Sequence, residues 1–167
     1  MKHARVLVLG IAVVVLAAMQ GLGAATTTGN VTVSATVSAT AKLALSSSTV
    51  TFPNADPDTS PSIAATEGAI TITAKGKTST GAAIALTILA ADDLKSGTDT
   101  IAISNVTWTV SGAGFAAGTM NKTTAQTVGS WTGSGNRSGT QSYALANNWN
   151  YATGAYTATA TYTLTAP

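Results

Sequence analysis

From residue 31 onward, hydrophobic and polar positions alternate along the chain. In "VTVSATVSATAKLAL", residues 31–45, every odd position is apolar, and every even position from Thr32 to Lys42 is Thr, Ser or Lys. Period-two alternation is the mark of a strand with one buried face. The pattern therefore predicts one strand across all fifteen positions, about 50 Å long where globular strands usually span about 17–20 Å. One sheet cannot pair that length in a straight line. Either the strand bends and changes sheet, or its first half leaves the domain. Leu43 and Leu45 read as large core residues, whereas Val31, Val33, Ala35, Val37 and Ala39 are small and evenly spaced. The division suggests an extended N-terminal strand, residues 26–38, donated to a neighbouring subunit. Successive side chains would fill pockets while the main chain bonds an open sheet edge.

The same period recurs to the end of the chain. "AITITAKG" puts Ile70 and Ile72 on one face, and "AAIALTIL" does the same for Ile84, Leu86 and Ile88. "IAISNVTWTV" starts with Ile101 and Ile103 inward and then shifts to Val106, Trp108 and Val110, a slip that predicts a β-bulge near Asn105. "AQTVGSW" and "TQSYALANNW" read as further strands, with "TGSGNRSG" as the turn between them, and "YTATATYTLTAP" closes the pattern. "PNADPDTSPS", "AADDLKSGTD" and the stretch 112–121 around Phe115 carry turn chemistry. No helical period survives after residue 25. The fold class expected is all-β: a single antiparallel β-sandwich, Ig-like in outline, of roughly seven to nine strands over residues 26–167.

The first 25 residues break the alternation. "MKHAR" is basic, "VLVLGIAVVVLAAM" is an unbroken apolar run, and "QGLGAA" supplies small residues, the three parts of a secretory signal with cleavage expected near Ala24 or Ala25. The apolar run is shorter than the roughly 20 residues a spanning helix needs. Cleavage removes Lys2, Arg5 and the one histidine, which leaves six cationic side chains against six carboxylates. Such a neutral chain lacks the clustered basic footprint of a nucleic-acid binder. A secreted location, extracellular or at a cell surface, is expected, with no membrane contact after cleavage.

Composition narrows the chemistry further. There is no Cys, and no His beyond the leader, so Ser–His and Cys–His nucleophiles and His or thiolate metal sites are closed. Carboxylate pairs remain as candidates for glycoside hydrolysis, Asp56 with Asp58 and Asp92 with Asp93, but both pairs sit in turn sequences where Asp bonds its own backbone. "NADPD" also offers Asp56 and Asp58 as a weak Ca²⁺ candidate, with an Asx turn as the favoured reading. No cofactor is implied. Three aromatics in Gly- and Asn-rich surroundings, Trp131, Trp149 and Tyr151, are candidates for stacking on sugar rings or for capping the ends of the core. Trp108, mid-strand on the apolar phase, is expected to be buried.

The closing "YTATATYTLTAP", with Tyr156, Tyr162, Leu164 and Pro167, resembles the terminal motif of WxL cell-surface domains, and Trp108-Thr109-Val110 resembles their internal Trp-x-Leu. Tyr162 stands at the place of the closing Trp, and Val110 at that of the internal Leu. The resemblance implies an exported β-rich module that attaches non-covalently to bacterial cell walls through peptidoglycan. Secreted pilus-like, fimbrial subunits share the outline. The functional expectation is therefore a non-enzymatic structural or adhesive surface protein that assembles with itself into fibres. A peptidoglycan- or glycan-binding module is the alternative.

Overall fold

A computed structural model describes residues 26–167 of the chain. The expected signal segment lies outside the described residues. The described chain falls into two units: the first ends at Ala35, and the second, Thr36–Pro167, contains every strand. In chain order the strands are β1 (Thr40–Leu45), β2 (Ser62–Lys77), β3 (Ala83–Ala90), β4 (Leu94–Ser96) and β5 (Asp99–Ile101). There follow β6 (Val106–Ser111), β7 (Gly118–Thr119), β8 (Gln126–Thr132), β9 (Gly135–Ala146) and β10 (Ala160–Thr165). The protein is all-β, and among the described residues no helix is long and apolar enough to cross a membrane.

Five strands form one antiparallel sheet in the order β1-β2-β9-β6-β7, three form a second in the order β10-β3-β8, and β4 and β5 make a separate hairpin. The alternation read from the sequence is what packs these sheets. Ile70, Ile72 and Ala74 of β2, Ile84, Leu86 and Ile88 of β3, and Val106 and Trp108 of β6 share one buried core with Val128, Tyr143 and Leu145. Thr and Ser at the intervening positions of β2, β6 and β8 face water, the ordinary place for β-branched and small polar residues on a half-buried sheet.

Three expectations are corrected. The strand expected over 31–45 is regular only from Thr40, and residues 26–39 belong to no strand. The phase slip near Asn105 is not a bulge but a single 3-10 turn, Ile103–Asn105, which keeps Ile103 buried and re-aims the chain into β6. Register shifts fall elsewhere, between Ala64 and Ala69 of β2 and between Leu86 and Thr87 of β3. Finally, "NRSG" is strand rather than turn: β9 starts at Gly135, because its pairing with Ala74, Lys75 and Gly76 of β2 outweighs a turn-like composition.

Candidate functional site

The two sheets meet along two seams, and the seams differ. On one side, residues 113–119 bridge the sheets. The Ala116 N–H donates to Val128 O at 2.8 Å, and the Ser130 N–H donates to Gly114 O at 2.9 Å. A few residues on, Thr119 and Gly118 pair with Thr107 and Trp108 of β6. Two indoles fasten this strap. Trp131 Nε1 donates to Ala113 O at 2.8 Å, and Trp108 Nε1 donates to Ala116 O at 2.9 Å. Phe115 meets the Trp131 ring edge-on, centroids 5.0 Å apart. The strap can approach so closely because residue 114 is glycine: its φ is +81°, and a Cβ there would lie 2.2 Å from Trp131 Nε1.

On the other side β1 and β10 are the outermost strands of their sheets, and no ladder joins them. Between them lies a groove of about 660 Å³. Its floor is core: Ile70, Ile88, Val106 and Met120. Leu43, Leu45, Val50 and Phe52 line one rim, and Ala158, Ala160 and Tyr162 the other. No lining residue is charged. Leu45, expected in the core, is a rim residue at 36% exposure.

Under this groove sits a buried polar relay. Tyr162 Oη donates to Gln141 Oε1, and the Tyr143 and Tyr162 hydroxyls share a hydrogen bond. Gln141 is fully buried, and its Nε2 is without a hydrogen-bond partner. Burial pushes both phenols above the ordinary tyrosine range, Tyr143 furthest. Trp108 packs against Tyr143 with centroids 6.4 Å apart. Trp108 and Tyr162, which carry the WxL resemblance, thus lie on different sheets and meet through Tyr143. Val110, Tyr156 and Leu164 are half-buried, while Pro167 is exposed and its carbonyl accepts from Thr78 Oγ1.

The remaining candidates separate. Val31, Val33 and Val37 are 87%, 89% and 74% exposed, and Ala35 and Ala39 are exposed as well. Trp149 and Tyr151 line one cleft of about 1030 Å³ with Asn54, Asn147 and Asn148. Trp149 is 68% exposed and donates to Asp58 Oδ1 at 3.0 Å. Trp131 does not join them, which corrects its place among the sugar-stacking candidates: it is 8% exposed, with Phe115 packed edge-on against its ring. Asp56 forms the Asx turn, its Oδ1 accepting from the Asp58 N–H at 2.9 Å. Asp92 and Asp93 are occupied by Lys95 and Lys122, and Asp93 Oδ1 also accepts from the Ile103 N–H at 2.9 Å. These bonds lower both carboxyls below the usual aspartate range and raise Lys122. Among the described residues no cluster of His, Cys, Asp or Glu could hold a metal ion.

Sequence reasoning missed the groove and Gln141. The second had a signal, since Gln141 shares the inward phase of Tyr143 and Leu145. No family model, no curated protein and no solved structure matches this chain.

Proposed function

We propose that this chain is a secreted, non-enzymatic structural or adhesive surface protein that assembles with itself into fibres by donating residues 26–38 to a neighbour. The observation that carries this reading is the segment 31–39, an apolar/polar alternation built for a sheet, whose valines are exposed and which belongs to no strand. An unpaired extended segment ordinarily finds an edge, and main-chain bonds supply affinity when it does. Each copy carries one such segment, so the contact is heterologous and propagates. Negative-stain imaging and sedimentation of residues 26–167 test the reading. Long polymers support it; a chain that stays monomeric at all concentrations overturns it.

A second reading, a peptidoglycan- or glycan-binding wall module of WxL type, is favoured by one observation. Trp149 offers an exposed ring beside Tyr151 and three asparagines, the pairing of aromatic face and hydrogen-bonding amides that sugars use. A monomer that pellets with purified peptidoglycan, and ceases to after Trp149→Ala, supports this alternative.

A further inference from the structure

We infer that the groove between β1 and β10 is the acceptor site for residues 31–39 of a second copy of this chain. The inference rests on the assembly reading above and adds where the donated segment goes. Among the described residues, the groove marks the seam at which the outer strands β1 and β10 face each other with no ladder between them. Its opposite number is filled by residues 113–119, which bond β8 on one side and β6 on the other. A strand laid along the open seam could bond the free edge of one of these outer strands and cover the apolar groove.

The donor fits this seam in pattern, polarity and reach. Placed there, Val31, Val33, Ala35, Val37 and Ala39 face the floor of Ile70, Ile88, Val106 and Met120, while Thr32, Ser34, Thr36 and Ser38 face water. Neither partner brings a charge: residues 26–39 contain none, and neither does the groove lining. Burial therefore strands no unpaired ion. The segment spans about 30 Å when extended, more than the length of β1 or β10.

The occupant is a second copy rather than the same chain. To lie beside β1, residues 31–39 would have to reverse direction within a few residues of Thr40. Tight hairpins need residues that accept positive φ, chiefly Gly, Asn or Asp. From Val31 to Lys42 there is no Gly, Pro, Asn or Asp, and among the described residues only glycines have positive φ. The alternation runs straight through into β1, so the segment points onward to another molecule.

The absence of native cysteine allows a direct test. Val33→Cys is combined in one full-length chain with Ala160→Cys on the groove rim, and in a control chain with Thr127→Cys on exposed β8. Mild oxidation of the first chain is expected to give a ladder of disulfide-linked dimers, trimers and longer species, and the control chain none. Polymers that cross-link through Thr127→Cys as well as through Ala160→Cys, or through neither, overturn the groove assignment and leave the assembly reading standing. Monomers alone, uncross-linked, overturn both. In parallel, excess peptide of sequence 26–39 added to the wild-type chain should shorten its polymers. The same peptide should bind Leu45→Lys about tenfold more weakly or worse, since that change puts a charge on the apolar rim. Unchanged binding to Leu45→Lys contradicts the assignment.

Discussion

The two seams of this sandwich are built from similar residues and end in different states. At the strapped seam Trp108 and Trp131 bury their rings with Phe115 half-buried beside them, both indole N–H groups find carbonyls, and the chain itself supplies the missing strand. At the open seam Leu43, Leu45, Val50 and Phe52 stay half in water over a floor of core side chains. Apolar surface at a sheet edge is ordinarily covered or charged, because it invites pairing. This chain covers one seam internally, while the groove at the other is lined by no charged side chain, although its edge strand β1 carries the exposed Lys42. The contrast teaches that the same core is closed by its own chain on one side and left half in water on the other.

Substitutions should separate the two sides by size of effect. Trp108→Ala removes the ring that holds the strap and should cost about 3–5 kcal/mol, read as a large loss in denaturant midpoint. An unchanged midpoint would mean that the strap is not structural. Tyr162→Phe, on the open side but beneath it, leaves Gln141 Oε1 without its donor and should cost about 1–3 kcal/mol. Leu45→Ala on the rim should lower monomer stability by less than about 1 kcal/mol, as half-exposed positions do, yet shorten polymers; a loss equal to that of Trp108→Ala would erase the distinction between seams. The smallest effect expected is that of acid. Asp92 and Asp93 have folded pKa values below their unfolded ones, because Lys95, Lys122 and backbone N–H groups bond them. Their contribution is therefore present above the ordinary aspartate range and is lost as pH falls through and below it. Thermal melts of Asp93→Asn and wild type should differ at pH 6, with the difference shrinking as pH falls through and below the ordinary aspartate range.

Which parts of this were legible in the sequence follows from distance along the chain. Period two is local, so the inward residues of β2, β3, β6 and β9 could be read directly, Trp108 among them. Trp131 could not. Its neighbours in sequence are polar and small, and what buries it is a strap some seventeen positions earlier whose Gly114 leaves room for the ring. The start of β9 was hidden for a related reason: "GNRSG" has turn composition, and only the ladder with β2 makes it strand. The groove was least visible of all. Leu43, Val50, Ala160 and Tyr162 each belong to a readable pattern, but nothing local says that the two outermost strands face each other unpaired. Half of the candidate assembly site, the segment 31–39, was plain from alternation alone; the other half depends on topology.

The long ladder between β2 and β9 also sets the tempo of folding. It joins Gly76 to Gly135 and Ser62 to Ala146, with four strands and a hairpin of chain strung between them. Loop-closure entropy must be lost before such contacts return anything, and all-β domains dominated by distant pairings fold in milliseconds to seconds. Until β9 arrives, β2 has only β1 beside it, and both present bare edges to any other molecule nearby. Refolding yield should consequently fall as protein concentration rises, since pairing within one chain competes with disordered pairing between unfinished ones.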